Sequence, residues 1–158
     1  MWCKGVFSDI SGPTHAYMES TPACWAAFGR VIAREYSDQR YFSVHRLSVD
    51  SYAVQHPGVP SRQSIQSVAV HLVRLCLFLE HGLTPERANH AMLAAAKQKA
   101  SYQWLQPPDF LGELTVADVE ATSSVDAHLD MVRTWAAQMW EVWSPHHDIV
   151  RGWVTSKN

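Results

Sequence analysis

The fourteen residues Phe42-Ser43-Val44-His45-Arg46-Leu47-Ser48-Val49-Asp50-Ser51-Tyr52-Ala53-Val54-Gln55 decide the fold class, because they support two readings. Taken at three- and four-residue steps, His45, Val49, Tyr52 and His56 share one face of a helix over 42–55. A strand from Phe42 to Val49 is the weaker alternative. The helix is preferred, and it ends at His56-Pro57-Gly58: the residue before proline is pushed out of the helical region, and glycine permits the turn.

The flanking segments agree with an all-helical chain. Thr21-Pro22 supplies an N-cap and a proline at the first helical position, after which Cys24, Phe28, Val31, Ile32 and Tyr36 recur at helical spacing, predicting a helix over about 22–37. Residues 61–82, SRQSIQSVAVHLVRLCLFLEHG, are apolar almost all the way round from Val68 to Leu79, the pattern of a helix buried on most sides. Within it Gln63, Ser67, His71 and Arg74 form a narrow polar stripe, and a polar stripe on a buried helix needs partners. Thr84-Pro85-Glu86 opens a helix running to about residue 101. A surface crossing with Pro107, Pro108 and Gly112 leads to a short helix near 115–120. Residues 124–143 carry Val125, Leu129, Val132, Ala136, Met139, Trp140 and Trp143 as one apolar stripe, and Ser144-Pro145 restarts a short helix to about 155. The first twenty residues have no period and read as an ordered loop or small knuckle. The expectation is an all-α, single-domain bundle of five or six helices over 1–158.

Composition narrows the function classes. Of 158 residues 47% are apolar and 18% charged, with seven tryptophans, which points to a packed core. A net charge of -2 without a lysine or arginine run argues against a nucleic-acid partner. No segment approaches a membrane span and no signal pattern opens the chain, so a soluble cytoplasmic protein is expected. Three irregularly spaced cysteines make no disulfide framework and fit a reducing compartment. There is no HExxH, Gly-rich phosphate loop, GxSxG or CxxC.

Nine histidines are the compositional oddity. Two Ser/Thr-Pro helix starts place a metal-ligating side chain at the third helical position: Cys24 after Thr21-Pro22, and His147 after Ser144-Pro145. The electropositive helix N-terminus favours a thiolate and a neutral imidazole, the forms that bind metal. His146 and His147 point about 100 degrees apart, so one can ligate while the other makes a supporting hydrogen bond. Cys3, His15 and Cys24 are spaced for a zinc knuckle around the Gly12-Pro13 turn, and His56 or His147 is the candidate for a donor from afar. Asp50, Tyr52, Gln55 and His56 precede a turn that would fold them against Gln66 and His71. There Asp50 could orient a histidine, and Asp50 or His71 could carry protons as a catalytic group. His45, His81, His90 and His128 look incidental.

RLSVDSYAVQHPG (46–58), QSVAVHL (66–72), THAYMESTPACW (14–25) and VRTWAAQMWEVWSPHHDIVRGW (132–153) together resemble a bacterial domain-of-unknown-function family carrying RLTVDAYAVQHPG and a WA…VW…W…HH block. The resemblance implies no activity. It does imply that related chains open with a CPGCG-like knuckle, followed by a His and a Cys at the positions of His15 and Cys24. Here Val6 replaces the second cysteine, which leaves a rearranged site, an open site with water, or a metal-free vestige.

The leading expectation is therefore a zinc-binding helical protein, with or without metal-dependent catalysis. The alternative is a non-catalytic module in which Trp135, Trp140, Trp143 and Trp153, with Trp25 and Tyr52, line a pocket for a small molecule or partner. Assembly with a second copy as a homo-dimer is a third expectation.

Overall fold

A computed structural model describes residues 3–84, 87–88, 90–92 and 102–155. Over these residues the chain is all-α and contains no strand. Thr21 opens α1 (Pro22–Ser37), its hydroxyl accepting the Cys24 N–H at 3.1 Å. A 3-10 turn over Gln39–Val44, capped by the Asp38 carboxylate, precedes α2 (His45–Gln55). The stretch expected to be helical from residue 42 is thus helical throughout, but its first turn is the tighter kind. There Tyr41 N–H already bonds Asp38 carbonyl three residues back.

Ser61 and Ser64 form a capping box at the start of α3 (Arg62–Leu79). Thr115 and Asp118 do the same for the short α4 (Val116–Glu120). Ser124 caps α5 (Val125–Val142), and after a 3-10 turn over Ser144–His146 the chain ends its described part in α6 (His147–Thr155). The helix expected from Thr84 to about 101 falls largely outside the described residues; 87–88 and 90–92 are helical. Residues 3–14 carry no regular structure, in keeping with the expected loop. No helix among the described residues is long and apolar enough to cross a membrane.

Helix α2 is the hub, packed on α3, α5 and α1, while α1 also meets α4 and α3 meets α6. Between Tyr52, Leu72, Leu75, Trp135, Met139 and Trp143 lies the core, each with no exposed surface. Each buried aromatic side chain removes about 200 Å² from water, several kcal/mol in transfer free energy. Trp135, Trp140, Trp143 and Trp153 are spent here, in the core. The indole of Trp143 also donates to the Val54 carbonyl at 3.2 Å, near the end of α2 where helical carbonyls lack partners.

Burial of α2 is unusual because so much of it is polar: His45, Ser48, Asp50, Ser51, Gln55 and the following His56 are all buried. Each carboxylate or amide reaches a neighbour. Glu35 of α1, fully buried, accepts from His45 Nδ1 at 2.9 Å, from the Ser48 hydroxyl, and from His128 Nε2 of α5 at 3.0 Å. His45 and His128, which look incidental in the sequence, therefore join three helices through one carboxylate. Gln55 donates to the carbonyls of Leu111 and Leu114, both at 2.8 Å, and fixes the crossing that leads into α4.

Gly58 shows how closely the N-terminal loop is held. Its φ is 71°, and a Cβ there would run into the carbonyl oxygen of Tyr17.

Glu35→Ala is expected to lower stability by about 3 kcal/mol in urea unfolding, because three buried donors lose their acceptor together; a loss under about 1 kcal/mol would contradict this reading. A second expectation concerns pH. Glu80, at the end of α3, accepts from Arg151 of α6 at 2.7 and 2.9 Å and from the Trp140 indole at 3.1 Å. The Arg151 guanidinium, chiefly, holds its carboxyl down at about 2. A depressed carboxyl stabilises the fold above its unfolded pKa and loses that contribution as pH falls toward the folded value. Glu80→Gln should therefore be less stable than the parent at pH 7 by about 0.5 to 1 kcal/mol, screened by solvent as such pairs are, and the difference should shrink between about pH 4 and pH 2. A pH-independent difference would rule out the ion pair as its cause.

Candidate metal centre

Three donors from distant parts of the sequence converge beside the start of α1. Cys24 is placed there by the Thr21-Pro22 opening, which puts it in the first turn with 1% of its surface exposed. His56 follows the last residue of α2, where the Pro57 that comes next stops the helix. Cys3 arrives on the N-terminal loop. Its sulfur lies 3.7 Å from that of Cys24, and the Cys24 sulfur lies 3.4 Å from His56 Nε2. The three ligand atoms all fall within 4.8 Å of one another.

These separations suit one ion. Zinc bonds of about 2.3 Å to sulfur and about 2.05 Å to nitrogen, at tetrahedral angles, put two sulfurs about 3.8 Å apart and sulfur and nitrogen about 3.6 Å apart. His56 is also prepared as a ligand: its Nδ1–H donates to the Tyr52 carbonyl at 2.8 Å, which leaves the lone pair on Nε2, the nitrogen that faces Cys24. Tyr52 adds its hydroxyl, 3.5 Å from the Cys24 sulfur, and its ring is fixed by stacking on Phe28 with centroids 4.0 Å apart.

The electrostatics of the sulfur pair differ from the expectation that the helix N-terminus makes Cys24 the thiolate. Cys3 is the depressed thiol, down at about 4, chiefly because Cys24 donates its S–H to it, with burial opposing and His56 assisting. The same hydrogen bond, together with burial, pushes Cys24 up. Burial and the neighbouring sulfur also push the Tyr52 phenol up, so it remains a donor.

The other expected donors lie apart from this group. His15 packs edge-on against Trp25 with centroids 5.1 Å apart, and its Nδ1 accepts the Tyr17 N–H at 3.4 Å. His147 stacks on Trp140 with centroids 3.8 Å apart, and its Nε2 donates to the Trp140 carbonyl at 2.8 Å, joining α5 to α6. His146 Nε2 donates to the Gln106 carbonyl at 2.8 Å. The paired histidines thus give their Nε2 atoms to backbone carbonyls, because the Ser144-Pro145 turn redirects the chain and lays α6 against α3. Val6 is 93% exposed and brings no donor.

Asp50 and His71 do meet: His71 Nδ1 lies 2.7 Å from Asp50 Oδ1. They meet on the far side of α2, since residues two apart on a helix diverge by about 200 degrees, and Tyr52 points toward Cys24. The polar constellation expected to gather behind the Pro57-Gly58 turn is therefore divided three ways: Tyr52 and His56 to Cys24, Asp50 to α3, and Gln55 to the 111–114 crossing. A second group, Cys76, Glu80 and His81, also lies within ligand distance. It is chemically poorer, because Glu80 is already occupied by Arg151 and burial pushes the Cys76 thiol up to about 12.

Neither a curated protein nor a solved structure matches this sequence. A family match covers residues 1–144, which include Cys3, Cys24, His56, Asp50 and His71. The chain belongs to the family of unknown function DUF5946.

Proposed function

We propose that the protein binds one zinc ion through Cys3, Cys24 and His56, tying the N-terminal loop to α1 and α2. The observation that carries the reading is the pair of separations, 3.7 Å between sulfurs and 3.4 Å from sulfur to imidazole nitrogen, with the imidazole already turned to offer its lone pair. Two thiol sulfurs and a nitrogen are donors that zinc accepts and that magnesium or calcium does not. Three protein donors leave one tetrahedral position for water or an exogenous group, and a zinc ion so held supplies Lewis acidity to what binds there.

The chain's own residues have separate tasks in this reading. Tyr52 holds His56 by its carbonyl and supports the Cys24 sulfur by its hydroxyl. Phe28 and Trp25, packed on the Tyr52 ring, keep water from the sulfur side. Loss of the ion should free the loop that carries Cys3 more than the helical body, whose core does not depend on it.

Protein purified without a tag or chelator should contain about one zinc per chain by elemental analysis. Cys3→Ala, Cys24→Ala and His56→Ala should each lower this at least tenfold, while His147→Ala should retain it. Zinc lost with His147 and kept without His56 would contradict the assignment, as would metal-free parent protein whose melting temperature is unmoved by added zinc. Proton release gives a further check. Near pH 7 the Cys3 thiol, depressed to about 4, has already ionised and the raised Cys24 thiol has not. Zinc uptake measured calorimetrically in buffers of different ionisation enthalpy should therefore release about one proton from the sulfur pair; release of two or none would show that the pair does not share its charge in this way.

A further inference from the structure

The face of α2 opposite the sulfur cluster carries a second arrangement that the metal reading leaves unused. Asp50, with no exposed surface, receives the Arg74 guanidinium at 2.7 and 2.9 Å and His71 Nδ1 at 2.7 Å. The carboxylate and the guanidinium satisfy each other's charge. What remains is an imidazole held at one nitrogen and open at the other. Among the described residues nothing hydrogen-bonds His71 Nε2, and that atom is not sealed in the interior.

His71 lines an open cavity of about 330 Å³ together with Tyr17, Gln63, Gln66, Ser67 and Val70. The volume is at the lower end of small-molecule sites. Three of the four polar residues of α3 that the sequence places in one stripe have become its wall, and the fourth, Arg74, lies behind against Asp50. No wall residue has a fixed charge, so nothing there would repay the desolvation of a phosphate, a carboxylate or an ammonium group. Two carboxamides, a hydroxyl and an imidazole lone pair match a ligand rich in O–H groups, while Val70 and the Tyr17 ring offer an apolar surface to its C–H face.

We propose that this cavity binds an uncharged, hydroxyl-bearing small molecule of about sugar size, with His71 Nε2 accepting a hydrogen bond from one ligand O–H and Asp50 as the residue that positions the imidazole. The Asp50 contact at 2.7 Å places the proton on Nδ1 and the lone pair on Nε2. Arg74 Nη2, 3.0 Å from the same Nδ1, would favour the opposite tautomer, but it is already bound to the Asp50 oxygen at 2.6 Å. The tautomer is therefore a direct reading of the proposal. The site is independent of zinc and stands or falls separately from it.

The test is long-range 1H–15N correlation of the histidine rings in the uniformly labelled full chain at pH 8.5, followed by titration with glycerol, glucose and myo-inositol, and with inorganic phosphate and acetate as charged comparators. The expected result is a neutral His71 protonated at Nδ1, and a saturable shift of its Nε2 with at least one of the three uncharged probes at millimolar concentration. Phosphate and acetate should produce none. Gln66→Ala should weaken the response at least tenfold, and His71→Gln, shown folded by circular dichroism, should abolish binding measured by calorimetry. Asp50→Asn, where it folds, should shift the tautomer population of His71, which a merely structural Asp50 would leave unchanged. An Nε2–H tautomer in the free protein, no saturable response to any uncharged probe, or an equal response to phosphate would overturn the proposal.

Discussion

The structure depends on keeping a polar helix dry. Helix α2 sits where a bundle normally holds its most apolar segment, yet along most of its length it presents imidazole, hydroxyl, carboxylate and carboxamide groups to the interior. A buried group of this kind costs several kcal/mol without a partner, so α1, α3 and the 111–114 crossing each bring one to a defined place, while Ser51 Oγ and Gln55 Oε1 stay without one among the described residues. Glu35 of α1 meets His45, Ser48 and, across the bundle, His128; Arg74 and His71 of α3 meet Asp50; and the 111–114 crossing meets Gln55. Apolar packing supplies the driving force, but these contacts specify which way round the helices pack.

The same requirement separates the two faces of α2 chemically. On one, the carboxylate of Asp50 is fully satisfied within the protein, and its effect is passed outward through His71 to a neutral, polar cavity. On the other, Tyr52 and His56 face a sulfur pair that shares a proton, with the depressed Cys3 thiol carrying the negative charge. A divalent cation is the natural complement to that face, and an uncharged hydroxylic ligand to the other. Both proposed sites are thus consequences of how one helix distributes its polar side chains.

Much of the fold was legible in the chain. Thr21-Pro22, Ser61 and Ser124 mark helix starts by local chemistry that tertiary structure does not override, and α1 and α5 begin and end within a residue or so of where periodicity puts them. Of the site, Cys3, Cys24 and His56 could be named because sulfur and imidazole at helix ends and loops are few. Their convergence could not be separated from that of His15, His146 or His147. Nothing local in Ser144-Pro145-His146-His147 reveals that both rings will reach for the carbonyls of Gln106 and Trp140, since that depends on how α6 folds back. Likewise Glu35 reads as one more charged residue on α1, and its role appears only once His45 and His128 are seen to face it.

The most direct test of the zinc reading is the ion's own coordination shell. X-ray absorption at the zinc edge of the metal-loaded protein should fit two sulfurs at about 2.3 Å, and one imidazole nitrogen plus one further light atom at about 2.0 to 2.1 Å. A shell with one sulfur and several imidazoles, or with no sulfur, would contradict the assignment of Cys3, Cys24 and His56.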